Sequence, residues 1–285
     1  MIIDKINRKP PTRLYHYTNL ESIVGIISSQ ELWLSNLYFQ NDKNEYEIGL
    51  NILKKVLQHY KLVNIDNIKN SIFFKSLDSA LDFLTKKQIY TTSLSEEPDL
   101  FSQWRGYGDN CRGARLEFLN LEKIKKKGIQ LLPCIYNKDE QEEYVEFLFE
   151  RSIEILNSTE EKGMTNKEDF SEDEKPYSDA IQAAGSYFIS AFNVACAIIK
   201  DEAFREEKEW RIINFRGKEV FYRVKSHYIV PFVKMKIDHL HEYFTDIMLC
   251  ASPEYNISER SVRFLLDQQG FNETTISQSK IPYRL

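Results

Sequence analysis

The sequence predicts an α+β fold: one domain over residues 1–285, with a split, mostly antiparallel sheet and a helical insertion at 139–200. Two observations carry that prediction. Short runs rich in β-branched and aromatic residues open and close the chain, and longer stretches with apolar residues at helical spacing lie between them. No segment recurs at a fixed period, which excludes a repeat architecture.

Residues 1–12 are polar, contain Pro10-Pro11 and read as a leader into a first strand at Arg13–Tyr17. Asn19, with Ser22 as a second candidate, is placed to cap a helix whose apolar side is Leu20, Ile23, Val24, Ile26 and Ile27. A short strand follows at Glu31–Ser35, then a turn at Asn41–Asn44, a helix through Tyr46, Leu50, Leu53 and Leu57, and another over Ser76–Lys87. Gln88–Leu94 and Ala114–Phe118 alternate as strands. The loop between them, residues 95–108, carries Phe101, Trp104, Arg105 and Tyr107, residue types that on a loop suggest recognition more than packing. Leu131–Tyr136 reads as a strand and Asp139–Leu156 as a helix. Asn157–Pro176 is charged and poor in large apolar residues, the composition of a flexible loop. Tyr177–Ile199 is a helix, and Trp210–Phe215, Phe221–Val224, Ile229–Val233 and Asp246–Cys250 are short strands. Ser258 caps and Gly270 stops a last helix, and Ile276 and Ile281 mark a final edge strand.

Composition narrows the class. A hydrophobic content of 42% with only 10 Gly and 8 Pro excludes disorder over most of the chain. The formal net charge of -5 excludes a global basic field for nucleic acid. Lys123–Lys127 is a local basic run, which a solvated helix face or turn explains. Cys111, Cys134, Cys196 and Cys250 form no C-x-x-C pair and have no His at zinc-ligand spacing, so no metal is expected. Reduced thiols suit a cytoplasmic protein. The first residues lack the apolar run of a signal peptide, and Tyr187–Ile199, broken by Ser190 and Asn193, is too short to cross a bilayer, so no membrane is expected.

Two segments place ionisable side chains in apolar, aromatic frames. His16 lies mid-strand in Leu14-Tyr15-His16-Tyr17-Thr18, where it is either a hydrogen-bonded structural histidine or a site residue. Glu207 and Glu209 lie two apart before Trp210, so on a strand they share a face, as a sugar-hydroxyl acceptor and a general base would. Arg211 could equally reduce the motif to an ion pair. Thr91 to Ser95 ends a strand in hydroxyls that either cap it or support a sugar. Trp104 and Tyr107 either stack on a planar ring or pin their loop. Gly106 and Gly108 form no phosphate loop, for they lack the Gly-Lys-Ser/Thr ending.

These motifs, in this order, resemble the bacterial family called domain of unknown function 2971: Leu14 to Thr18, Leu32-Trp33-Leu34-Ser35-Asn36, Thr92 to Ser95, Trp104 to Tyr107, Phe204 to Ile212 and Ser279 to Arg284. That family looks distantly similar to the ADP-ribosyltransferase fold, and the resemblance implies NAD as substrate. It implies His16 against the NAD ribose and Glu209 as the residue stabilising the oxocarbenium-like ribosyl centre. Glu207 would engage the nucleophile and Ser93 and Ser95 would support the site. Tyr17, Trp104 and Tyr107 would flank the nicotinamide, with Thr18 and Arg105 beside them. The acceptor would be an unknown protein or nucleic acid, and a toxin or anti-phage role is implied by the kind of family. Thr-Ser-Leu-Ser replaces the Ser-Thr-Ser of that fold, and a long helical insertion separates it from the Glu pair. The alternative is a non-catalytic nucleotide- or protein-binding module that keeps the fold.

Overall fold

Alternating residues in Arg-Leu-Tyr-His-Tyr-Thr form β1, Arg13–Thr18, of the computed structural model. The structure describes residues 2–39, 45–64, 66–84, 89–124, 128–215, 219–225, 227–252 and 254–281. A short helix α1 (Ile2–Ile6) precedes β1, and α2 (Leu20–Ser29), β2 (Glu31–Asn36), α3 (Glu45–Val63) and α4 (Ile68–Leu84) follow it. Then come β3 (Tyr90–Ser95), α5 (Phe101–Gly106), β4 (Ala114–Leu119), β5 (Ile129–Pro133), α6 (Lys138–Ser158) and α7 (Ser178–Ile198). The chain ends with β6 (Glu209–Asn214), β7 (Phe221–Lys225), β8 (Tyr228–Lys236), β9 (Phe244–Leu249), α8 (Tyr255–Gln268) and β10 (Thr275–Gln278). The turn expected at 41–44, the end of the helix expected at 85–87, and residues 125–127 and 282–285 lie outside the described residues.

The chain is α+β and divides into two compact units. One comprises Met1–Asp4, Asn41–Ile89 and Ile135–Glu202 and is helical; the other comprises Lys5–Gln40, Tyr90–Cys134 and Ala203–Leu285 and carries the sheet.

In the helical unit α3, α4, α6 and α7 pack through an aromatic core, with Phe149 5.1 Å from Tyr60 and 4.6 Å from Phe188. Asn137 caps α6 by accepting from the Glu140 N–H. Residues 157–176, expected to be flexible, are tied down by two carboxylates. Glu161 accepts from the N–H groups of Asp179 and Ala180 at the start of α7, and Asp179 accepts from the N–H groups of Lys162, Met164 and Thr165. Donors from Thr165 first, then Lys162 and Met164, hold the Asp179 carboxyl below the usual carboxylate range. Helical structure is continuous over Lys175–Ile198, a longer stretch than the apolar run Tyr187–Ile199 and, by length and composition alone, enough to cross a membrane. Half of an 18-residue apolar part of it is buried inside the protein, and α7 packs on α3, α4 and α6, the behaviour of a core helix.

In the sheet-bearing unit the strand order is β10-β9-β4-β1-β3-β2-β8-β7, with β6 pairing β3 and β5. The sheet is open, and β9–β10 is its parallel pair among otherwise antiparallel ones. β3 organises it. One edge of β3 pairs with β6 from Tyr90 to Ser95. The other edge is shared: Tyr90 and Thr91 pair with β2, and Ser95 pairs with Tyr15 of β1. One face carries the main core, where Leu14, Leu34, Leu94, Leu116, Ile212 and Ile247 meet Ile23, Ile27, Val262 and Leu266 of α2 and α8. Each such fully buried side chain contributes roughly 1.5–3 kcal/mol. Asn19 caps α2 as expected, whereas Ser258 lies inside α8, which begins at Tyr255.

Candidate functional site

The expected site residues cluster around the end of β3, the start of β6 and β1. His16 is half-buried, and its Nδ1 lies 2.9 Å from the Ser93 carbonyl oxygen, on the β3 edge between the β1 and β2 pairings. A carbonyl only accepts, so Nδ1 carries the proton and Nε2 keeps its lone pair in the neutral ring. Burial first, and then the Arg223 charge, push the imidazole pKa down, against the Ser93 bond that raises it.

The Glu pair is arranged differently from the expectation. Glu207 ends a 3-10 turn at Glu202–Glu207, and Lys208 adopts a left-handed conformation with φ 42° before β6 begins at Glu209. Strand alternation therefore does not join Glu207 to Glu209. Glu209, 4% exposed, is gripped by Arg211, 1% exposed, with Nε to Oε1 at 2.7 Å and Nη2 to Oε2 at 3.2 Å. Residues two apart on β6 share a face, and this bidentate fork uses both carboxylate oxygens.

Register also separates the histidine from the glutamate. Tyr15 pairs with Ser95 and Ser95 pairs with Glu209, so these three share one face; His16 leaves β1 on the other. Serine and acid contacts at the same end of β3 are structural. Ser95 Oγ donates to the Glu207 carbonyl at 2.6 Å and accepts from the Glu97 N–H at 3.0 Å. Glu96 accepts from Trp210 Nε1 at 2.7 Å and from Arg8 Nη2 at 2.5 Å, and the Arg8 guanidinium lies 4.8 Å from the Trp210 ring centre.

The aromatic loop packs rather than presents itself. Residues 101–106 form α5, and Trp104, 0% exposed, donates from Nε1 to Asp99 at 2.7 Å. Asp99 also accepts from Ser279 Oγ and the Lys280 N–H. Tyr17 meets Trp104 edge-on at 5.2 Å, and its hydroxyl donates to the Glu97 carbonyl while accepting from the Leu100 N–H; burial pushes its pKa up. Tyr107 is half-buried against the same cluster, Thr18 is half-buried and Arg105 is exposed. The glycines here serve close approach. A Cβ at Gly113 would lie 2.1 Å from the Thr18 carbonyl oxygen, and one at Gly108 would meet Trp104 at 2.8 Å. Between them Asp109, Asn110 and Cys111 are consecutively left-handed, with φ 50°, 50° and 62°, a conformation costing about 1–2 kcal/mol per residue that the buried Trp104 and Cys111 offset.

Two features escaped the sequence reading. Arg115 is buried under the Tyr15 ring at 4.7 Å, donates from Nε to the Pro98 carbonyl, and faces Asp246 at 3.1 Å and Glu117 at 3.6 Å. Alternation in Ala-Arg-Leu-Glu-Phe was the available signal for it. The second is a cavity of about 610 Å³ walled by Ile124, Ile129, Leu131, Ile212 and Met235, with Asn7, Arg8, Lys9 and Glu122 as polar lining. Glu122 keeps Oε2 buried without a hydrogen-bond partner. Neither His16 nor Glu209 lines this cavity.

Residues 103–212 match the family described as Protein of unknown function (DUF2971), the family expected from the motifs. No curated protein and no solved structure matches the chain.

Proposed function

We propose, for a chain whose residues 103–212 belong to that family of unknown function, that the sheet-bearing unit is a binding module for a nucleotide-sized amphipathic molecule and that Glu209 is architectural. The cavity carries this reading. Its volume of about 610 Å³ falls in the range of small-molecule sites and its wall is apolar. The buried, unpartnered Oε2 of Glu122 suits an N–H edge of a heteroaromatic base, and Lys9 suits an anionic end. Four free thiols support a reducing, cytoplasmic setting.

The test is calorimetric titration of AMP, GMP and NAD into the full chain, its Leu131→Trp variant, which fills the cavity, and Glu122→Gln. Binding that Leu131→Trp abolishes and Glu122→Gln weakens supports the reading. No binding of the three at millimolar concentration, or binding indifferent to both variants, overturns it.

A second reading, NAD-dependent mono-ADP-ribosyl transfer or NAD hydrolysis away from the cavity, is favoured by the neutral His16 held on Ser93 where the β3 edge passes from β2 to β1. NAD would be its substrate, a protein or nucleic acid its acceptor, and a toxin or anti-phage effector its setting. Glu209 would have to exchange Arg211 for the ribosyl centre. Nicotinamide release by the wild type, lost in Glu209→Gln while NAD still binds, would establish this reading over the first.

A further inference from the structure

The connection from β8 to β9 brings three metal-ligating side chains together. His239, His241 and Glu242 are exposed, and one donor atom from each lies within 4.8 Å of the others. Their backbone is fixed. Leu240, between the two histidines, is 0% exposed in the main core, and the Ile237 N–H donates to the Gln30 carbonyl. The Glu242 N–H donates to the His239 carbonyl at 2.9 Å, closing a 3-10 turn, and the Tyr243 carbonyl accepts from the Leu119 N–H. His239 is left-handed with φ 56°. The two imidazoles lie 6.0 Å apart between centroids at 85°, and His241 packs its ring on Phe271 at 6.4 Å.

We propose that this turn is a binding site for a borderline divalent cation of the zinc class. Two imidazoles and one carboxylate are the donor set such ions take, whereas Ca²⁺ and Mg²⁺ prefer oxygen. Donors around a tetrahedral ion with bonds of about 2.0–2.1 Å stand roughly 3.3 Å apart, so rotation of exposed side chains by an ångström or so closes the set. Among the described residues no hydrogen bond holds the three side chains elsewhere, so closure breaks no hydrogen bond and shifts only the edge contact of His241 with Phe271. Three protein ligands leave a fourth position for water or a further ligand. With two neutral imidazoles and one carboxylate, the bound site carries a single positive charge on an otherwise acidic chain.

The test is titration of Zn²⁺ into the metal-free full chain against a competing chromophoric chelator. One tight equivalent is expected, unaffected by millimolar Mg²⁺ or Ca²⁺. His239→Ala and His241→Ala should each weaken it by at least about tenfold, and Glu242→Gln by less, because each removes one of three ligands. His227→Ala is the control that should leave affinity unchanged. The histidine ring ¹⁵N resonances of 239 and 241 should shift on adding one equivalent. Absence of a tight equivalent overturns the proposal. So does binding that survives His239→Ala/His241→Ala, which would assign the ion to the thiols. The three positions are exposed, so thermal melts of the variants should match the wild type and keep the comparison valid.

Discussion

The β3–β6 seam and the β8–β9 turn hold their ionisable groups in opposite ways. At the seam Ser95, Glu96 and Glu209 are each engaged, by a carbonyl and an N–H, by Trp210 and Arg8, and by Arg211. At the turn, and on Glu122 Oε2 in the cavity, donor and acceptor atoms stand without partners among the described residues. A charge inside a sheet persists only when it is paired, and pairing occupies the atoms that chemistry would need. The most conspicuous charged motif of the sequence is therefore the one most fully committed to the fold.

Breaking the seam should have the largest effect. Glu209→Gln removes the carboxylate charge that grips the buried Arg211 guanidinium, and we expect a loss of roughly 3–5 kcal/mol in urea unfolding. Glu242→Gln on the exposed turn should change stability by less than about 0.5 kcal/mol. A Glu209→Gln protein as stable as the wild type would erase the contrast and return Glu209 to the list of reactive groups. Trp104→Phe comes next. It keeps most of the ring but withdraws the donor from Asp99, for roughly 1–3 kcal/mol. A variant of wild-type stability that loses nucleotide binding would instead make Trp104 a ligand platform.

How far the sequence reveals this depends on the range of the interaction. The Asn19 cap, the alternation of β1 and β4 and the helical spacing of α2 are local, and each is legible in a few residues. Arg211 as partner of Glu209 was also legible, as one of two options two residues away. What decided between them was register: that Tyr15, Ser95 and Glu209 share a face is fixed by pairings between strands about 80 and 114 residues apart, which no local pattern encodes. The loop at 95–108 left two options legible, a ring platform or a pinned loop, and Asp99, reaching Ser279 while Trp104 is buried beneath it, realises the second through contacts about 180 residues apart. Residues 157–176 are charged, as a flexible loop would be, yet one of those charges, Glu161, and Asp179 just beyond them order the segment. The His239-Leu240-His241-Glu242 string was visible, but its meaning needs Leu240 anchored in the core.

His16 lies between the two cases, with one ring nitrogen engaged and the other open, and it supplies the smallest effect near neutral pH. Burial holds its folded pKa below the value of about 6.5 for an exposed imidazole. Above that pH both folded and unfolded chains carry the neutral ring and the group adds no pH dependence. As pH falls through about 6.5 the unfolded chain takes up a proton that the folded chain refuses, so stability declines at up to about 1.4 kcal/mol per pH unit until the folded pKa is passed. His16→Gln removes that proton uptake. Urea unfolding of both proteins from pH 8 to pH 5 should therefore show the wild type losing more stability toward acid, with the two curves parallel above pH 7. Curves parallel throughout would mean that His16 titrates alike in both states, and that its ring is as open to solvent as the histidines of the β8–β9 turn.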